Sequence, residues 1–211
     1  MTRALLLATH NAGKVREFES YFGALGLAVS AAESLGLEEV SEDADTFRGN
    51  AELKAAAAAR ATGGIALADD SGLCVDALDG APGIYSARWA IDERTGARDF
   101  GAACLRVGRA LADAGAEAEG AAAHFLCVLC LADAAGRRKF WEGEARGRLS
   151  FPPRGSRGFG YDPIFIPAGE TLTFGEMEPR KKEAMSHRAR ACAAFAEWYR
   201  GGGWQSEGWG L

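Results

Sequence analysis

Long hydrophobic runs are missing from this sequence. No stretch approaches the roughly 18 to 20 apolar residues that a helix needs to cross a bilayer, so no membrane partner is expected. The N-terminal MTRALLLATHNAGK holds only a short apolar stretch and lacks a signal-peptide h-region, which leads to the expectation of a cytoplasmic protein. Excess positive charge is missing too. The 24 Lys and Arg face 29 Asp and Glu, for a formal net charge of -5 and a pI near 5.3. That balance argues against a nucleic-acid polymer as partner and still allows a small anion held by a few local cations. Cysteine is sparse, and its five positions (Cys74, Cys104, Cys127, Cys130, Cys192) form an odd set without secretory context, so reduced thiols are expected. Cys127 and Cys130 have the spacing of half a zinc site, but no second pair exists. They lie inside HFLCVLCLA, a buried-strand pattern in which free cysteine packs as a small hydrophobe. No repeat and no Pro/Ser linker divides the chain.

What is present is the composition of an ordinary globular protein, 48% hydrophobic and 25% charged over 211 residues, enough for one large domain or one domain in two lobes. RALLLA (3–8) reads as a strand that ends in the polar loop THNAGK. Val15, Phe18, Phe22 and Leu25 follow at helical spacing. LAVS (27–30) is a second strand, and the acidic loop LEEVSEDAD leads to Thr46 as the N-cap of an alanine-rich helix. GGIALADD (63–70) is a strand. A helix over 98–114, a hairpin around Ala135–Gly136, a strand after GFGYDP and one C-terminal helix over 178–200 complete an α/β chain. Residues 201–211, GGGWQSEGWGL, read as a loose Gly/Trp-containing tail.

Four polar clusters sit at the ends of apolar elements. Thr9, Asn11 and Lys14 form either an ordinary polar turn or an anion site made from helix N–H groups and a lysine. The loop is not a Walker A motif, because it has one glycine and no Ser or Thr after the lysine. Asn50 and Lys54 are four apart on one helix face, with Glu42 before it, and read as an exposed face or as phosphate ligands. Asp69 and Asp70, followed by Ser71–Gly72, read as an acidic turn or as carboxylates delivered to a metal or a water. The last cluster joins Phe159 and Tyr161, with stacking faces, and Gly158 and Gly160, which allow close approach, to Asp162, Lys182, His187 and Arg188. Carboxylates, several cations and an aromatic-polar pocket together describe a nucleoside triphosphate site with Mg²⁺.

THNAGK, ADDSGL, GAPGIYSARW, GFGYDPIF and SHR stand in the order and spacing of the RdgB/HAM1 family of inosine/xanthosine triphosphate pyrophosphatases, which the chain resembles from about residue 3 to 200. The resemblance implies one two-lobed domain over 1–200, with a long, mixed, mostly antiparallel sheet flanked by helices and the active site in the cleft between lobes. It further implies a homodimer that uses Mg²⁺ to hydrolyse dITP, ITP and XTP to the monophosphate and pyrophosphate. Carried over, Thr9, His10, Asn11, Ala12, Gly13 and Lys14 hold the triphosphate, Glu42 and Asp70 serve the metal, and Asp70 accepts the proton of the attacking water. Ser71 touches the substrate. Phe159, Gly160, Tyr161, Asp162, Lys182, His187 and Arg188 hold base and phosphates, with Arg188 a candidate donor to the 6-keto oxygen. Two positions depart from the family pattern. His10 stands where a small residue is usual, and Gly49 stands where a glutamate is common, removing a capping-box partner for Thr46. A nucleotide-binding protein without turnover is the rival from another class. A haloacid-dehalogenase-type phosphatase is the second rival, but it needs an aspartate where Ser71 stands.

Overall fold

The computed structural model describes residues 3–209. Along the chain run β1 (Arg3–Leu7), α1 (Ala12–Gly23), β2 (Leu27–Ala31), α2 (Phe47–Thr62), β3 (Ile65–Val75), α3 (Phe100–Asp113), β4 (Ala122–Asp133) and β5 (Arg138–Leu149). They are followed by β6 (Phe165–Pro167), α4 (Pro179–Met185), α5 (His187–Arg200) and the short α6 (Gly203–Ser206). The strand order is β2-β1-β3-β4-β5-β6. β1 runs parallel to β2, with Leu5 opposite Val29, and parallel to β3, with Leu6 opposite Ala66. β5 and β6 are antiparallel, with Arg148 opposite Ile166. β4 and β5 meet through a tight turn at Gly136, whose N–H bonds the Asp133 carbonyl, too short a link for a parallel crossover. The sheet is therefore mixed, as the resemblance implies.

Two compact units share the chain. The first takes the residues through Asp70, then Cys127–Gly143 and those from Arg188; the second takes Ser71–Leu126 and Glu144–His187. In the first unit the helical spacing of α1 buries Phe18 and Phe22, whose rings stack 5.5 Å apart, and Phe22 meets Phe195 of α5 edge-on at 5.1 Å. Leu5, Leu7, Leu67, Leu129 and Trp141 complete that core. The second unit has its own core: Val107 and Leu111 of α3 with Leu73, Leu149, Ile164 and the rings of Phe125, Phe165 and Phe174. All five cysteines are free and buried; burial pushes the Cys127 and Cys130 thiols up to about 12, so both are protonated at neutral pH.

Three expectations are corrected. β3 does not turn at Ser71–Gly72 but continues through the paired aspartates to Val75. The carboxylates find cationic and amide partners inside the protein, so the strand has no need to turn them out to water. The C-terminal helix is two helices. Ser186 is extended, with φ -68° and ψ 157°, and its N–H caps α4 on the Lys182 carbonyl. The tail through Trp209 is packed rather than loose; Gly210 and Leu211 lie outside the described residues.

That packing has specific causes. Trp209 is buried and lies under the Arg137 guanidinium at 4.8 Å. Arg137 also donates to the carbonyls of Glu207 and Gly208, both at 2.9 Å. Glu207 accepts from Lys139 at 2.6 Å, from Trp198 at 2.9 Å and from Trp209 at 3.2 Å, bonds that hold its carboxyl below the usual range. Trp209→Ala should therefore lower unfolding stability by about 3 kcal/mol, the scale for deleting a packed tryptophan. Urea unfolding measures it, and an unchanged midpoint would show that the segment carries none of the core.

Candidate active site

The paired aspartates of β3 point to different surroundings, as successive strand residues do. Asp69 has no exposed side-chain surface. Its Oδ2 meets Lys14 Nζ at 2.8 Å and Arg188 Nη2 at 3.5 Å. Burial works to raise its pKa, but Lys14, Arg188 and Lys54 outweigh it and hold the carboxyl well below the usual carboxylate range. Arg188 in turn donates from Nη1 to Glu17 at 2.5 Å, and Asp69 and Glu17 keep the buried guanidinium charged against its own desolvation.

Asp70 faces α2 and the loop before it. Its Oδ2 accepts from Asn50 Nδ2 at 3.2 Å, and its Oδ1 lies 3.4 Å from Lys54 Nζ. Lys54 also donates to Glu42 Oε1 at 2.5 Å. Burial, helped by Glu42 and Asp69, prevails over Lys54 and Lys14 and raises the pKa of Asp70. Lys54 is the converse case. Burial lowers its proton affinity, but Asp70, Asp69 and Glu42 more than reverse this, so it stays charged. Asn50 is fully buried and spends its carbonyl on the Ala44 N–H at 3.0 Å, which fixes its amide toward Asp70. Thr46 caps α2 by accepting from Gly49 N–H at 3.0 Å. A Cβ at Gly49 would stand 2.6 Å from the Ala44 Cβ, so the glycine lets the incoming loop close on the first turn.

The THNAGK loop is shaped by its own side chains. Thr9 Oγ1 accepts from Asn11 N–H at 3.2 Å, and Asn11 Oδ1 caps α1 by accepting from Gly13 and Lys14 N–H at 2.9 and 3.1 Å. Those two N–H groups, foreseen as phosphate ligands, are thus answered within the chain. Ala12 opens the helix. His10 Nε2 is 2.8 Å from the Leu37 carbonyl, which ties this loop to the segment leading to Glu42.

The second unit carries the remaining residues. Gly158 is in the left-handed region at φ +74°, and a Cβ there would fall 2.0 Å from Asp162 Oδ2. That same oxygen accepts from Phe159 N–H at 2.7 Å and from Lys182 Nζ at 2.6 Å. Lys182 Nζ sits 4.8 Å from the centre of the half-buried Phe159 ring. Gly160 is half-buried in the same turn, and Tyr161 is buried with its hydroxyl on the Ser86 carbonyl at 2.9 Å. His187 stacks on Phe125 at 4.8 Å, and Ser71 is half-buried in β3.

Glu42, Asn50, Lys54 and Asp70 are therefore brought together, as are Lys14, Asp69 and Arg188 in the same unit, and Phe159, Asp162 and Lys182 in the other. Arg188, grouped by sequence with the GFGYDP residues, is paired within its own unit with Asp69 and Glu17. Glu17 was missed, although its place three residues after Lys14 puts both on one face of α1. Among the described residues no cluster of three or more His, Cys, Asp or Glu is arranged to hold a metal ion. Likewise, none of the described helices is long and apolar enough to cross a membrane.

Comparison with known proteins places this geometry. A model of the Ham1 family matches residues 5–198. A dITP/XTP pyrophosphatase of Mesorhizobium japonicum is 49% identical over 204 residues, covering 92% of both chains. One from Rhodospirillum centenum is 54% identical over 187 residues, covering 89% of this chain and 90% of the other. A HAM1 protein of Coxiella burnetii is 32% identical in sequence and superposes with a TM-score of 0.85 over 94% of this chain and 99% of its own. The Ham1 protein of Staphylococcus aureus gives 32% and 0.80 with the same coverage. With its match from residue 5 to 198 and relatives near 50% identity over nine-tenths of its length, the chain belongs to the Ham1 family.

Proposed function

We propose that this protein hydrolyses the non-canonical purine nucleoside triphosphates dITP, ITP and XTP to the monophosphate and pyrophosphate. The observation that carries this reading is Asp70: a buried carboxylate of raised proton affinity, fixed by Asn50 and Lys54, beside an Asp69 that is held ionised. Neighbouring carboxylates whose environments push their proton affinities apart divide the labour of acid–base chemistry. Asp70 accepts the proton of the attacking water at its carboxylate, and Asn50 Nδ2–H keeps that carboxylate aimed. Asp69 holds Lys14 and Arg188 in place. The relatives' shared name, dITP/XTP pyrophosphatase, supports the substrate class.

Glu42 and Asp70 both bring an oxygen to the same ammonium, Lys54 Nζ, at 2.5 and 3.4 Å, so two hard donors converge where a cation already sits. That donor set fits Mg²⁺, which takes one or two carboxylates and completes its shell with water and substrate phosphates. Such an ion, when bound, neutralises charge developing on the phosphoryl oxygens. Thr9 to Lys14 are proposed to hold the triphosphate, with Ser71 touching it. Phe159, Gly160, Asp162, Lys182, His187 and Arg188 are proposed to receive the base and the remaining charge, with the buried Tyr161 supporting their turn rather than meeting the substrate. A cytoplasmic homodimer, free of nucleic-acid and membrane partners and formed by one domain over residues 1–200, completes the proposal.

A panel of ITP, dITP, XTP, GTP and ATP with Mg²⁺ tests it. Pyrophosphate and monophosphate should appear from the first three far faster than from the last two, and excess EDTA should abolish the reaction. Release of orthophosphate, or full activity in EDTA, would overturn the corresponding part.

The two aspartates should separate in a paired experiment. Asp70→Asn is expected to lower kcat by about 10²–10⁴-fold, the scale of a lost general base. Because its carboxyl is raised in the folded protein, ionised Asp70 opposes folding above its folded pKa, so the same variant should unfold no more easily in EDTA. Asp69 has the opposite sign: its lowered pKa stabilises the fold above the unfolded value, and that stability is lost as pH falls through the folded one. Asp69→Asn should therefore be destabilised by about 3–5 kcal/mol at neutral pH, the scale for orphaning buried partners. Denaturant unfolding at pH 7 checks this, and equal losses in the two variants would refute the division of roles.

A further inference from the structure

The GAPGIYSARW motif has no part in the chemistry described so far, yet its Ser86 is buried and fully bonded. The Ser86 hydroxyl accepts from the Leu73 N–H of β3 at 3.0 Å and donates to the Gly83 carbonyl at 2.7 Å. It thereby pins the helical turn Gly83–Tyr85 to the strand. Its own carbonyl accepts the Tyr161 hydroxyl at 2.9 Å. Tyr161 is 2% exposed, packs edge-on against Phe100 at 5.8 Å, and is kept protonated by burial, so its phenol is a permanent donor at neutral pH.

We propose that Ser86 and Tyr161 form a brace that positions the turn Gly158–Asp162, and that Tyr161 supports substrate affinity through this brace rather than by touching the substrate. The inference rests on the reading in which that turn receives the base. Besides backbone bonds such as Gly175 N–H to the Asp162 carbonyl at 3.0 Å, side chains hold the turn on two sides. On one side Asp162 Oδ2 gathers the Phe159 N–H and Lys182 Nζ. On the other, Tyr161 ties it to Ser86, and through the Ser86 hydroxyl to β3. Phe159, the half-buried ring of the turn, precedes both anchoring residues, and its backbone N–H is one of the groups that Asp162 gathers. With the phenol bond gone the turn loses its tie to Ser86 and β3, and binding must then order that side of it, which weakens affinity without altering the proton acceptor at Asp70.

Tyr161→Phe removes the bond and keeps the ring. KM for ITP and XTP should rise roughly three- to tenfold, the range for one net hydrogen bond. kcat should change by less than about twofold, as expected when binding rather than the chemical step is affected. Amide hydrogen exchange of the unliganded protein should accelerate at Phe159–Asp162 and not in β1. An unchanged KM, or a loss confined to kcat, would overturn the proposal, as would unchanged exchange in that turn. If the wild-type protein releases no pyrophosphate from any nucleotide, the functional reading fails instead, and exchange alone then decides whether the brace exists.

Discussion

Burying a carboxylate without exposed surface is unfavourable unless its charge is matched, and in the first unit Asp69 is matched from two directions. Lys14 comes from the first turn of α1 and Arg188 from the first turn of α5, so one ion cluster joins β3 to the helices that precede and follow it in sequence. Glu17, on the same face of α1 as Lys14, closes the cluster by taking the other end of the guanidinium. Removing Asp69 takes the carboxylate from Lys14 and from one end of Arg188, which is costlier than never having built the cluster. This constraint explains why the strand is straight where its composition suggests a turn.

The consequence for chemistry follows from strand geometry. Once Asp69 is committed to Lys14 and Arg188, alternation sends Asp70 toward α2, where Asn50 and Lys54 wait four residues apart on one helix face. The same sequence doublet thus yields one carboxylate that is always ionised and one whose proton affinity is raised. A fixed amide and an ammonium at defined oxygens leave Asp70 little rotational freedom, which is the condition for a preorganised base.

Much of this was legible in the sequence because it is local. The i, i+4 spacing of Phe18 and Phe22 fixes the buried face of α1, Thr46 marks the start of α2, and Gly136 marks the hairpin. The glycines of GFGYDP mark a loop, and Gly158 and Gly160 there take positive φ. What escaped was set by partners far away in the chain. Asp-Asp-Ser-Gly reads as a turn until Lys14 and Arg188 are known to meet it. RKKEAMSHRARA favours helix throughout, so nothing local reveals the break at Ser186. The pairing of Arg188 with Glu17, far away in the chain, is likewise beyond local reading.

Charge balance gives the candidate site its last constraint. The connected ion pairs of the first unit set Lys14, Lys54 and Arg188 against Glu17, Glu42, Asp69 and Asp70, three positive charges against four negative. Every cation in the set is already answered by a carboxylate. A triphosphate, itself strongly anionic, cannot join such a group on the strength of these cations alone, since freeing one would strand a buried carboxylate. In the proposed reaction, added positive charge would come with the substrate. Glu42 and Asp70, whose oxygens both meet the ammonium of Lys54, are the donors proposed to receive it. The acidic character of the chain, which argued against nucleic acid as a partner, is in this cluster the physical argument for the divalent cation in the proposed reaction.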